Sequence, residues 1–289
     1  MTWLVALRLG RVSNLPTVWT NVLAGIVLAG GGIGFGAGVI LLLALSLFYI
    51  AGMFLNDAFD REIDARERPE RPIPSGAVTA RAVFLSAFAM MAVGFVLLIV
   101  VGYGFDGGTG WRPAVGGVLL GLAIVFYDSH HKGNPLSPLL MGLCRMLVYF
   151  TAGAAVAPSM PVGLVVAALV ALSYLIGLTY VAKHESGRSM TVLWPLAFLA
   201  IPFVYAAPIA VNTVIGAALA LLFLLWTVYA LTLVLGRNRR VPRAVGHMLA
   251  GICLLDAIFI AGQGASELAV LAAVGFPLTL LFQRVVPGT

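Results

Sequence analysis

The sequence predicts an all-α membrane protein: a polytopic bundle of nine transmembrane helices, with a tenth candidate near the C-terminus. Three observations predict it. Hydrophobic residues make up 61% of the 289-residue chain and charged residues only 10%, with a mean hydropathy of +1.06, whereas a water-soluble domain carries about a quarter charged residues. Apolar segments near the roughly 20 residues that a helix needs to cross the hydrocarbon core recur along the whole chain. Nearly all the charge falls in alternate gaps between them. Lipid offers no partner to an open backbone amide, so the segments must be helices. A single helical bundle uses this length in one unit, and residues 1–289 read as one domain.

The segments fall at about 14–30, 36–56, 79–102, 113–128, 136–157, 161–182, 190–208, 211–235 and 243–262, with the tenth candidate near 267–283. Breaks rich in Gly, Pro and small residues separate them: AGGGIGFGAG, YGFDGGTGWRP, APSMP, AAPIAVN and GQGAS. The remaining breaks carry the charge. Arg61, Arg66, Arg68, Arg71 and Arg81 follow the second span, Lys132 the fourth, Lys183 and Arg188 the sixth, and Arg237, Arg239, Arg240 and Arg243 the eighth. If the spans alternate, these gaps share one side, and the other side has Arg112 and little else. Basic loops stay in the cytoplasm, so the charged loops and the N-terminus are expected there, in a bacterial-type inner (plasma) membrane. Nine spans put the C-terminus on the opposite side; ten bring it back.

The net charge of +6 and pI near 9.7 do not point to nucleic acid, because the basic residues lie between apolar runs rather than on a soluble face. Cys144 and Cys253 fall inside apolar runs and read as packing residues, with no disulfide framework or metal-ligand spacing. The N-terminus lacks a basic head followed by a small-residue cleavage site, so a removable signal peptide is not expected.

The stretch FLNDAFDREIDARERPERPIPSG, 54–76, breaks the pattern with six acids and four arginines. If the second span continues as a helix, Asp57, Asp60 and Asp64 lie along one face. Carboxylates on one stripe repel each other, and a hard divalent cation held alongside substrate phosphates supplies the counter-charge. Magnesium with a diphosphate is the natural occupant. Arg66, Arg68 and Arg71 follow within a turn or two, and guanidinium forks match phosphate oxygens. The plain alternative is a solvated charged loop, but topology calls for basic residues, not for acids at helical spacing.

NDAFDREID followed by RPIPSG resembles the first aspartate-rich motif, NDxxDxxxD, of the UbiA superfamily of intramembrane prenyltransferases, and its place after the second span also matches. The resemblance implies a helical bundle around a central cavity closed by the loops after spans 2, 4, 6 and 8. It further implies a prenyl diphosphate held on magnesium, ionised to an allylic cation and attacked by a small acceptor. Asn56, Asp57, Asp60 and Asp64 would be metal and diphosphate residues, and Arg68 and Arg71 phosphate contacts. YDSHHKGNP, 127–135, resembles the family's Tyr-and-Lys segment, so Lys132 would meet phosphate and Asp128 would be a metal ligand or the partner orienting Lys132. Adjacent His130 and His131 cannot share a helical face, and solvated positions are expected for them.

The sixth span ends LTYVAKHESGRS where the family usually has a second aspartate-rich motif. Only one carboxylate stands there: either Glu185 alone supports a magnesium, or Lys183 contacts the diphosphate directly. Arg11 and Asn14 resemble a basic residue and Asn found near the family's acceptor pocket. Arg145, about ten residues into the fifth span, is costly at that depth and needs a substrate or a partner, with Asp256 as the candidate ion pair. The acidic stretch and MGLCRMLVY also look like the EboC-like branch of the superfamily. Two other readings compete: a terpene cyclase or phosphoribosyl transferase on the same scaffold, and a non-catalytic lipid-binding or transport protein.

Overall fold

The computed structural model describes residues 1–182, 194–235 and 240–288. Among them it has eleven α-helices and no strand, and nine helical segments are long and apolar enough to cross a membrane. The first crossing helix is shorter, and is preceded by a brief helix α1 (Trp3–Leu9), capped by the Thr2 hydroxyl, which accepts from the Val5 N–H at 3.4 Å. Between α1 and α2 (Leu15–Leu28) the chain turns through Arg11, at φ 41° and ψ 47°. This is the left-handed region, which costs a non-glycine residue on the order of 1 kcal/mol. Arg11 is the one non-glycine residue with positive φ among those described.

Helix α3 (Phe35–Glu67) has 33 residues, about 50 Å at 1.5 Å per residue. The bilayer needs only about 20 of them, so the helix runs past the predicted end at 56 and carries the acidic motif as an unbroken rod. α4 (Ala80–Tyr103), α5 (Arg112–His130), α6 (Ser137–Ala154) and α7 (Val162–Ala182) follow close to the predicted bounds. The seventh crossing begins as a tight 3-10 segment, Trp194–Ala200, and continues as α8 (Ile201–Asn212). AAPIAVN was expected to be a break, yet the helix runs through Pro208 and the chain turns at Thr213. The Asn212 side chain donates to the Pro208 carbonyl at 2.8 Å and closes that last turn. α9 (Val214–Leu235), α10 (Val241–Ala261) and α11 (Ser266–Gln283) complete the set, so the tenth candidate is a helix.

The apolar residues gather in two cores. One is built by α7 to α10, the other by α3 to α5, and α2 and α6 supply side chains to both. These two helices approach closely because Gly25 has no side chain: a Cβ there would stand 2.8 Å from both the Ala152 Cβ and the Tyr149 carbonyl oxygen. α10 is the central helix, with 83% of its membrane stretch buried against 22% for α4 and α11 at the lipid rim. After α11 the chain returns to the start of α2, where Gln283 donates to the Asn14 side chain and Asn14 donates to the Gly288 carbonyl, both at 2.9 Å. Gly288 thus lies at the same end of the bundle as Arg11.

Candidate active site

The last turns of α3 put Asn56, Asp57, Asp60 and Asp64 on its inward face, all buried. Each carboxylate has a cation seated on it. The turn after α3 folds Arg71 back, and its Nη1 bridges Asp57 at 3.2 Å and Asp64 at 2.8 Å. From the other side Arg11 reaches Asp57 at 3.2 Å and the Asn56 side-chain oxygen at 3.5 Å. Burial works against the Arg11 guanidinium, but Asp57, helped by Tyr49, Tyr127 and Asp128, outweighs it and raises its pKa, so the group stays charged. Its left-handed backbone is what aims it there.

The end of α5 and the loop after it supply the rest. Lys132 Nζ lies 3.2 Å and His131 Nε2 3.3 Å from the same Asp60 oxygen. Asp128 does not orient Lys132, one of the two roles expected for it: it accepts from the Asn56 amide at 3.2 Å, while its second oxygen is buried without a partner among the described residues. Nor is His131 solvated. Its side chain is only 12% exposed and its ring stacks on Tyr127 at 4.9 Å, one helical turn back. His130 is the exposed one of the pair, stacked on Phe126. The i, i+4 spacing of Tyr127 and His131 was the available signal for this inward turn. Lys183 and Glu185 lie outside the described residues.

Beneath these charges is a cavity in two connected parts. The mouth, about 200 Å³, is lined by Arg11, Asn14, Arg68, Arg71 and Arg145, and walled on its far side by α7 and α10. The inner pocket is almost wholly apolar, with Val18, Leu45, Phe48, Leu120, Ile124 and Val148 on its walls. Tyr49, Met53, Tyr127, Met141 and Arg145 line both. Arg145 makes no ion pair with Asp256, contrary to one expectation. Its Nη1 donates instead to Asn21 at 2.8 Å and Thr17 at 3.3 Å.

The oxygen-rich donor set suits a hard cation such as magnesium, and the orphaned Asp128 oxygen has a coordination position to offer. Among the described residues no three acid, His or Cys side chains gather closely enough to hold a metal by themselves. That fits an ion held by one or two carboxylates together with substrate phosphates, the usual mode for magnesium.

Fold and site together define an integral membrane helical bundle with a charged, oxygen-rich site over an apolar pocket. Residues 18–248 match the UbiA prenyltransferase family, and the chain belongs to that family. Among curated proteins, it is 33% identical over 122 residues to the digeranylgeranylglyceryl phosphate synthase of Natronomonas pharaonis, covering 42% of this chain and 41% of that protein. It is 36% identical over 95 residues to the synthase of the same name from Methanopyrus kandleri, covering 33% and 35%. The matched stretch thus spans only about a third to two fifths of the length of these relatives. Two solved structures share the fold. A UbiA homologue from Archaeoglobus fulgidus bound to GPP and Mg2+ has a TM-score of 0.65 at 14% identity, over 91% of this chain and 99% of that one. The apo UbiA homologue from Aeropyrum pernix has a TM-score of 0.64 at 19% identity, over 88% and 98%.

Proposed function

We propose that the protein is a magnesium-dependent membrane prenyltransferase, acting as a single domain, that moves an isoprenoid group from its diphosphate to a small lipophilic acceptor. One observation carries the reading: a cluster of carboxylates and cations stands at the mouth of an apolar pocket. A prenyl diphosphate has the matching two ends. The names of the curated relatives support geranylgeranyl diphosphate as the donor to try first and a prenylated glyceryl phosphate as the acceptor. The one-sided basic loops support a cytoplasmic orientation of the charged end.

Asn56, Asp57, Asp60 and Asp64, with Asp128, would hold the magnesium, and Glu185 is proposed as a further ligand. When bound, the metal neutralises diphosphate charge and stabilises the charge that builds up as the allylic carbon–oxygen bond breaks. The chain's own cations do the same. Lys132, Arg71 and Arg68, with Lys183 proposed beside them, meet the diphosphate oxygens, and their attraction grows as the bonding pair leaves with the diphosphate. Because Lys132 and Arg71 rest on aspartates in this structure, the substrate anion replaces one partner for another rather than meeting an uncompensated charge. The apolar pocket takes the isoprenoid chain and excludes water, which otherwise captures the cation. Tyr49 and Tyr127 are shared by both parts of the cavity, and the Tyr49 ring already has the Arg145 guanidinium 6.0 Å from its centre. The acceptor, held near Asn14 and Arg145, attacks the allylic carbon, and its proton passes to the departing diphosphate.

The test is turnover of geranyl, farnesyl and geranylgeranyl diphosphates by the purified protein in lipid, followed by diphosphate release and product mass. Turnover that requires magnesium and disappears in Asp57→Ala is expected. Absence of turnover with all three, together with binding of phosphoribosyl diphosphate, would replace the donor in this reading.

A further inference from the structure

A guanidinium and a carboxylate at membrane depth are each costly unless satisfied. Arg145 of α6 and Asp256 of α10 are two such groups, and one side chain of α2 stands between them. The Asn21 amide accepts from Arg145 on its oxygen at 2.8 Å and donates from its nitrogen to Asp256 at 2.7 Å. Asp256 is fully buried and accepts in addition from Thr20 at 2.5 Å and from the Tyr149 hydroxyl. Asn21 is fully buried too, and its nitrogen also reaches Tyr149 at 3.0 Å.

An amide between these two groups has one tolerable orientation. Flipped, it would turn N–H groups toward the guanidinium and an oxygen toward the carboxylate, leaving both buried charges facing like partners. The carboxylate therefore dictates which way Asn21 points, and Asn21 dictates where Arg145 points. Only Arg145 Nη1 is used in this chain of bonds. Its Nη2 and Nε have no hydrogen-bond partner among the described residues, the guanidinium lies 6.0 Å from the Tyr49 ring centre, and the side chain lines both the arginine-rich mouth and the apolar pocket. Free guanidinium donors in such a position match a phosphate or carboxylate oxygen.

We propose that Asp256 is a positioning residue: acting through Asn21, it holds the Arg145 guanidinium at the junction of the two parts of the cavity, where the free donors bind an oxyanion of a substrate. The inference rests on the preceding reading only in requiring an anionic substrate in this cavity, and the oxyanion belongs either to the donor diphosphate or to an acceptor headgroup. Asp256 touches no substrate. Its whole effect on binding passes through Arg145.

The experiment measures binding of four probes to the protein in lipid nanodiscs with magnesium: inorganic pyrophosphate, geranyl diphosphate, geranylgeranylglyceryl phosphate and benzoate. Wild type, Arg145→Ala, Asp256→Asn and the double variant are compared. For at least one probe, Arg145→Ala is expected to raise Kd about tenfold, as for a lost charge-assisted hydrogen bond. Asp256→Asn raises it several-fold and adds nothing once Arg145 is gone. A loss confined to the two diphosphates assigns the oxyanion to the donor; a loss confined to the other two assigns it to the acceptor.

Asn21→Ala cuts the same relay while keeping Asp256, should Asp256→Asn fail to fold, and it must reproduce the Kd change. Ser173→Ala, which removes a buried hydrogen bond to the Phe198 carbonyl elsewhere, is the control that lowers Tm and leaves Kd alone. Losses that multiply in the double variant, or a lowered Tm with every Kd unchanged in Asp256→Asn, overturn the proposal, as does failure of wild type to bind any probe. If geranyl diphosphate does not bind but another probe binds through Arg145, the positioning role stands and the prenyl diphosphate reading falls.

Discussion

The mouth of the cavity and the network around Asp256 both bring carboxylates near arginines, but they satisfy charge by different means. At the end of α3 each aspartate is paired directly with a cation, and Lys132, at 45% side-chain exposure, stands partly in solvent. Around Asp256, among the described residues, every hydrogen bond comes from a neutral group: two hydroxyls and an amide. A cation paired directly with a carboxylate can exchange that partner when an anion arrives. A carboxylate enclosed by neutral donors from α2 and α6 cannot. The first arrangement suits a place where charge must be handed over, the second a place where geometry must be kept.

The largest expected effect comes from Asp57, which is shared by Arg11 and Arg71. Asp57→Ala should lower kcat/KM for a prenyl diphosphate by about a thousandfold, and it should also lower Tm, because the mostly buried Arg11 guanidinium loses its carboxylate. Loss of the fold instead of the activity would make the two regions alike. Asp256→Ala should do the reverse of Asp57→Ala in its balance, destabilising the protein by about 3 kcal/mol through three orphaned donors, measured by unfolding in detergent micelles. Smaller again is Lys132→Ala, expected to raise KM for the diphosphate about tenfold through one charge-assisted contact, and less so at high salt. Least of all is Glu62→Gln. Its contact with Arg61 is an exposed pair of chain neighbours, and neither Tm nor turnover should change measurably.

Sequence carried the fold far because hydropathy reports span number directly, and it carried the α3 site because three aspartates at helical spacing are legible within one element. AAPIAVN failed as a break since the helix tolerates Pro208 near its end, where the Asn212 side chain donates to the Pro208 carbonyl and closes the last turn. What the sequence did not disclose depends on pairs far apart in the chain. Asn21 reaches Asp256 across 235 positions and Arg145 across 124, and nothing in the run WTNVLAG marks that amide as the link. The inward turn of His131 likewise depends on Asp60 being across from it. Arg11 was noted for its charge, whereas its left-handed backbone, the feature that directs the charge, has no local signal of the Gly or Asn kind.

The unbroken length of α3 makes the site answer to the bilayer itself. No hinge separates the acidic turns from the stretch that lies in lipid, so the helix acts as a lever whose fulcrum is the hydrocarbon slab. A thinner or thicker membrane is accommodated by tilting such helices, and a tilt of about 5° carried along about 30 Å moves the far end by roughly 2.5 Å. That is nearly the length of the contacts joining Asp60 to Lys132 and His131 on α5 and its loop. Acyl-chain length is therefore expected to change how well two helices register their charges, without touching a single residue of the site.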